Sequence, residues 1–312
     1  MISNYSFQDI LLLMAFLVCG SLANAQLPNE KFGKPSKQEW EFTNWDATHP
    51  ADAIILCKTI KVTYELPNDL YIIGQEDHES LPDGHPDFGT NQNYENDILV
   101  QYEVRLRTKI LKPEGARHAN IDILYYDAVD DKFMTGDEVA DLSIKIFTKD
   151  EKGKVRKKSI ATNAFDKERV NDNYMVMHVV VPDVQAGSII EYEYKVNSFR
   201  NNFLYDWAFQ ECIPMVHTKY DVDVPVILQF KMDVPTSKLV NTSYKQGRII
   251  YDANRRDFKR AKSCPTNHYI ITGDYILPSD VTDPDMKMST SRISYANAPA
   301  YIPEGWTHLK IK

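Results

Sequence analysis

The sequence predicts an all-β fold, an antiparallel β-sandwich of about ten to twelve strands, and three observations carry that expectation. The first is strict alternation: over Val100–Arg107 every even position is apolar and every odd one polar, and Ile190–Val196 repeats the pattern without exception. Alternation of this kind puts one face of a strand in a core and the other in water. The second is punctuation by turn residues between the apolar runs, as at Asp150-Glu151-Lys152-Gly153, where glycine supplies the positive φ of a hairpin turn. The third is that no segment sustains a 3.6-residue apolar period, although 161–173 and 278–290 are each expected to hold a short helical turn.

The elements follow in chain order. Residues 10–19 are an apolar run, Ile-Leu-Leu-Leu-Met-Ala-Phe-Leu-Val-Cys, and Ala23-Asn24-Ala25 follows as an A-x-A site. That is the pattern of a secretory signal peptide cleaved after Ala25, and it is too short to span a bilayer, which takes about 20 residues. The segment before it lacks Lys and Arg. Lipidation at Cys19 is the lesser alternative, because Val18 is bulky for that processing step. Residues 26–50 read as an irregular segment. Strands are expected at 53–66, 100–107, 119–126, 142–146, 154–160, 190–196, 207–224, 226–234, 247–252 and 268–277. Tyr174–Val181, apolar on both faces except at His178, is expected to be a central strand. The connection 74–96 is acidic and rich in Pro, Gly and Asn, and is expected to be a loop. These readings divide the chain into a leader (1–25), the irregular segment (26–50), a β-sandwich domain (51–235) and further strands with a tail (236–312), so that two sandwich-like halves are an alternative to one. No second apolar stretch follows the leader, so the mature chain is expected to carry no transmembrane segment and to be exported, periplasmic or secreted.

Composition excludes several functions. The 36 Lys and Arg against 44 Asp and Glu give a formal charge of −8, which argues against a general nucleic-acid partner. The 12 glycines never lie closer than five apart, so G-x-G-x-x-G is absent; Gly84 and Gly89 are followed by Thr90, not by the Gly-Lys of a phosphate loop. No G-x-S-x-G elbow occurs. No cofactor is expected. Cys57, Cys212 and Cys264 remain after the leader, which allows at most one disulfide. A catalytic cysteine needs a histidine near it. Cys212 and His217 are five apart, on opposite faces of a strand, and Cys57 in Ile54-Ile55-Leu56-Cys57 reads as core. His78, His85 and Asp87 in the long loop are weak candidates for a metal, since their spacing matches no established motif. Glu191 and Glu193, like Asp221 and Asp223, are expected on the wet faces of their strands rather than as paired catalytic acids. The basic run Arg255–Lys262 reads as a charged hairpin edge, with an anionic partner as the alternative. Asn241-Thr242-Ser243 is a glycosylation acceptor only in a eukaryotic secretory pathway.

Several stretches together resemble a known family. They are Lys31-Phe32-Gly33-Lys34-Pro35, Thr108–Gly115 with Ala119–Tyr126, Pro182–Tyr192 containing Gly-Ser-Ile-Ile-Glu-Tyr, and Asp206-Trp207-Ala208-Phe209-Gln210 with Ile213-Pro214. In order and spacing they resemble the uncharacterised β-sandwich domain that precedes transglutaminase-like domains in exported Gram-negative proteins, over roughly 50–235. The resemblance implies a sandwich fold and an accessory role. It carries over no catalytic residue, because no position here matches that enzyme's Cys, His and Asp; the chain reads either as a truncated copy or as a stand-alone accessory domain. Its motif residues are expected to be structural: Gly187 in a turn, Glu191 and Tyr192 on opposite faces of one strand, Trp207 facing the core, Gln210 bonding a neighbouring loop, Pro214 at a bulge or edge.

The expected function is therefore a non-enzymatic binding or scaffolding module of the cell envelope, with a protein or glycan as partner. Trp40, Trp45 and Trp306 are the candidate contacts if they are exposed, and core residues if they are not. The alternatives are a cysteine hydrolase or acyl-transferase using Cys212 or Cys264, and a carbohydrate-binding module.

Overall fold

The computed structural model describes residues 30–43, 50–66, 98–129, 136–161, 165–201, 204–209, 211–226, 228, 230–235, 239–251, 262–276 and 287–292. Fourteen strands occur among them: β1 (Ala53–Glu65), β2 (Leu99–Ile110), β3 (Ile121–Tyr126), β4 (Glu138–Lys149), β5 (Val155–Ile160), β6 (Asp166–Arg169), β7 (Tyr174–Val179), β8 (Ile189–Ser198), β9 (Trp207–Ala208), β10 (Met215–Pro225), β11 (Phe230–Asp233), β12 (Val240–Tyr251), β13 (Lys262–Ile276) and β14 (Lys287–Arg292). The all-β class is as the alternation predicts.

Eight strands form one sheet in the order β12-β13-β10-β1-β2-β8-β4-β5. Its pairings are antiparallel except for β1 against β10, which run parallel in the middle. Two three-stranded sheets, β3-β7-β6 and β11-β14-β9, complete the fold, and β7 is central in its sheet as expected. One continuous core joins the large sheet to the small ones: Ile60, Val62, Tyr102, Ile144 and Ile190 share it with Ile123 and Met177, and with Trp207 and Phe230. A smaller cluster on the opposite face gathers Ile54, Leu56, Phe147, Ile189 and Val216 under Trp40 and Phe42. β8 explains why both faces matter. Its even residues Ile190 and Val196 enter the main core, while Ile189 and Glu191 are buried on the other side.

The predicted strand over 207–224 is in fact two, β9 and β10, separated at Pro214. The carbonyl of Pro214 accepts the Ile55 N–H at 2.9 Å, so proline sits at the lead-in to β10, where its own missing donor does no harm. Residues 161–173 hold β6 instead of a helical turn. All four of its residues are exposed, and it exists by pairing with β7. Residues 26–50 are not irregular throughout: Lys37–Glu41 form a helix, α1. Ser36 caps it by accepting the Glu39 N–H, and the Glu39 carboxylate returns to the Ser36 N–H, a reciprocal capping box. No helix among the described residues is long and apolar enough to cross a membrane.

Pro113–Ala119 form a 3-10 turn that the pattern did not announce. It rests on the carbonyl of Asp52, which accepts both the Leu111 and Lys112 N–H groups at 2.8 and 3.0 Å. Gly115 packs so close to that carbonyl that a Cβ there would overlap its oxygen. Gly115→Ala is therefore expected to cost about 1–3 kcal/mol or more. Urea unfolding checks this, with Gly153→Ala as the reference for backbone strain alone, since a Cβ on Gly153 meets nothing but φ is +76°.

Candidate functional site

Two features of the large sheet stand out, one on each face. On the core-facing side an open cleft of about 880 Å³ separates the sheet from the elements that pack over it. The alternation of β2 and β8 builds its floor: Tyr102 pairs with Val196, Val104 with Tyr194 and Leu106 with Tyr192. The Tyr192 and Tyr194 rings lie nearly parallel, 17° apart with centroids at 6.2 Å, and Tyr205 leans on Tyr102 at 4.9 Å. Burial pushes the phenols of Tyr102, Tyr192, Tyr194 and Tyr205 upward, and the carboxylates of Glu211 and Asp122 add to the rise at Tyr192. These tyrosines stay neutral across the physiological range and present ring faces, not charge; Tyr205 already donates its O–H to the Asp137 carboxylate.

One wall carries a polar group. Lys58 of β1 pairs with Glu211, donates to the Ala208 carbonyl at 3.1 Å and lies 4.4 Å from the centroid of the Trp207 ring. Trp207 is in turn fixed by its indole N–H on Thr218 Oγ1 at 3.0 Å. The cleft also receives Arg117, His118 and Asp122, and Cys212. Burial and then the Arg117 charge hold His118 below its usual value, so it is neutral near pH 7.

On the opposite face, residues 30–42 cross the sheet as a strap. Arg107 of β2 stands under it, 1% exposed, and bridges Glu39 of α1 and Glu191 of β8, each at 2.5 Å, while its second nitrogen also donates to the Lys31 carbonyl at 2.8 Å. Glu191 accepts the Gly33 N–H as well, at 2.6 Å. Here the expected wet face is overturned: Glu191 is fully buried, because the strap covers it, and desolvation raises its pKa against the pull of Arg107. Glu193 is half-buried and paired with Arg105 at 2.8 Å. Asp221 is likewise engaged, accepting from His268 at 2.7 Å. At the start of the strap, Glu30 pairs with Lys219 at 2.5 Å and lies 3.5 Å from His217 Nε2, an ion-pair distance too long for a hydrogen bond. His217 Nδ1 is 2.7 Å from Asp274. Burial alone would lower His217, but Asp274 and Glu30 outweigh it and hold the ring at about 9; His217 and then Lys219 hold Glu30 at about 2.

The sequence-predicted residues fall as follows. Gly187 takes the turn conformation, φ +86°. Glu191 lies under the strap, Tyr192 in the cleft, Trp207 in the cleft wall and Pro214 buried at the lead-in to β10. Trp40 belongs to α1 and is half-buried, with Lys149 Nζ at 4.8 Å from the centroid of its ring. Trp45, Trp306, His78, His85, Asp87, Gln210 and the basic run over 255–261 lie outside the described residues. Cys57 and Cys264 are buried, and Cys212 is exposed. Burial pushes the Cys57 thiol up to about 12, so it is a core residue as expected. Among the described residues no cluster of three or more His, Cys, Asp or Glu is placed to hold a metal. Arg107, Glu39, Glu30 and His217 were missed as a group. The Ser36-Lys37-Gln38-Glu39 capping box was the one local signal that the N-terminal segment is ordered.

No curated protein matches the chain. Among the solved structures that match, one is a chain from Parabacteroides distasonis described as "a putative protease", with 12% identity and a TM-score of 0.47. That match covers 78% of this chain, which spans 40% of the other's length. A family model matches residues 96–262, from the start of β2 to the start of β13, and its family is described as a domain of unknown function with a solved structure. The match takes in the cleft floor, the Gly187 turn and the Arg107–Glu191 pair, and by it the chain belongs to the DUF3857 family.

Proposed function

We propose that the chain is a non-enzymatic binding module of the cell envelope, exported by its leader and acting beside a transglutaminase-like domain. The observation that carries this reading is the tyrosine-lined cleft. Its floor is rigid sheet, its rings are stacked and its phenols are neutral, which suits recognition of an extended peptide or a sugar face better than proton transfer. The domain context rests on the resemblance of the Gly-Ser-Ile-Ile-Glu-Tyr and Trp-x-Phe-Gln segments, and the export on the leader and its A-x-A site.

The test is binding of the full chain to arrays of extended peptides and glycans, with Tyr194→Ala and Lys58→Ala as cleft variants. Each variant is expected to weaken the ligand found by about tenfold, with the urea midpoint little changed for Lys58→Ala. Ligands that bind both variants as tightly as the parent chain would place recognition elsewhere.

A second reading, a cysteine hydrolase or acyl-transferase, is favoured by one observation: the exposed Cys212 and the neutral His118 line the same cleft. It requires a thiol that reacts fast with iodoacetamide at neutral pH and slows in His118→Ala. Reaction at the rate of an unactivated thiol removes it.

A further inference from the structure

A second, smaller depression of about 230 Å³ opens beside α1, on the strap face, and neither the cleft nor the family assigns it a role. Its lining contains two lysines, Lys109 and Lys149, the hydroxyls of Thr43, Thr148 and Ser188, and the Trp40 ring; no acidic side chain lines it. Lys109 of β2 is 4% exposed. Its ammonium is aimed by two backbone carbonyls, of Glu39 at 3.0 Å and of Trp40 at 2.7 Å, leaving one of its three N–H directions uncommitted among the described residues. The neighbouring carboxylate is turned away, since Glu39 gives one oxygen to Arg107 and the other to the Ser36 N–H. Lys149 of β4 stands at the mouth over the indole of Trp40.

We propose that this pocket binds an oxyanion, a carboxylate or a phosphate, whose apolar body rests on Trp40. A buried ammonium with no paired carboxylate is costly unless something supplies the negative charge. Two lysines converging on one depression add repulsion to that cost. Burial and then Lys149 pull Lys109 down to about 8, and an anion between the two charges relieves both effects. The volume lies below the range of about 300–1,000 Å³ of pockets that enclose a whole small molecule, so the site takes the charged end of a ligand. The inference stands apart from the cleft, and either can fail without the other.

The test titrates the full chain by calorimetry with N-acetylphenylalanine and with phenyl phosphate, against the uncharged N-acetylphenylalaninamide and benzyl alcohol. In parallel, reductive methylation read by mass spectrometry follows protection of Lys109 and Lys149, with the exposed Lys61 as the reference. Saturable binding of either acid is expected, with both pocket lysines protected and Lys61 not. The carboxylate arm alone identifies a carboxylate site, the phosphate arm alone a phosphate site, and both a general oxyanion site. Lys149→Glu, a change at an exposed position, is expected to weaken binding by about tenfold or more while leaving the urea midpoint in place; it serves where Lys109→Met fails to fold. Binding weakens as pH rises past Lys109's titration. Equal binding of the neutral compounds, unchanged binding by Lys149→Glu, or no saturable response to either acid overturns the proposal.

Discussion

Arg107→Met is expected to destabilise the protein by about 3–5 kcal/mol at pH 7, the largest single effect available on the strap face. The reason lies in what remains. Glu191 is fully buried and Glu39 3% exposed, and each has its carboxylate on the same guanidinium. Removing the cation strands two carboxylates in a region from which water is excluded. Two accompanying results distinguish this cause from lost packing. The cost is expected to shrink as pH falls toward 5, because Glu191, already raised by desolvation, takes a proton once its partner is gone. The double variant Arg107→Met with Glu191→Leu is expected to recover part of the stability, since replacing an ion pair by apolar groups is often nearly neutral. Urea midpoints of the three proteins at two pH values are the measurement. A pH-independent loss, unrelieved by the second substitution, would sink the electrostatic account.

The second large effect concerns His217. Its folded value of about 9 stands above the unfolded 6.5, so the stability it contributes is fully present below pH 6.5 and is lost as pH rises through 9. The difference is worth about 3 kcal/mol. Lys109, lowered from 10.5 to about 8, contributes with the opposite sign between those values and so overlaps the upper end of that window, because its neutral form is the one favoured in the folded state. The informative quantity is therefore the stability difference between the parent chain and His217→Gln. That difference is expected to be about 3 kcal/mol at pH 6 and to fall toward zero near pH 10. Glu30 works at the other end of the scale: lowered to about 2, it contributes above pH 4.5 and ceases to as pH falls through 2. The start of the strap is thus held most firmly between about pH 4.5 and 6.5.

The strands were legible wherever one face met a core and the other met water. β2 and β8 could be read residue by residue, and the Gly153 and Gly187 turns with them, because alternation and positive φ are local properties. What could not be read was which second layer lies on each face. Alternation correctly set Glu191 opposite Tyr192. The covering of Glu191 comes from Gly33, 158 residues earlier in the chain, and no local period records a contact of that span. β6 failed for the opposite reason: Asp166-Lys167-Glu168-Arg169 has no apolar face, and only pairing with β7 makes it a strand. The cleft is less legible still. Tyr102, Tyr192 and Tyr194 read as core because they are large and alternate, and whether a layer seals them or leaves them open depends on how the small sheets sit. Ser36-x-x-Glu39 shows what closer reading recovers, a four-residue signal inside a segment that otherwise looks shapeless.

The parallel union of β1 and β10 has a consequence for how the polypeptide comes to be folded. Ile55 meets Met215 and Val62 meets Val222, so the middle of the large sheet is closed by residues about 160 positions apart. Until residues 215–225 have been synthesised and delivered, β1 is an open edge, long and apolar, a template for pairing with another chain. The loop that must close is among the longest the molecule contains, which makes the step entropically late and slow. Folding is then expected to finish from the C-terminal side, and intermediates halted before β10 docks are the species most prone to aggregate.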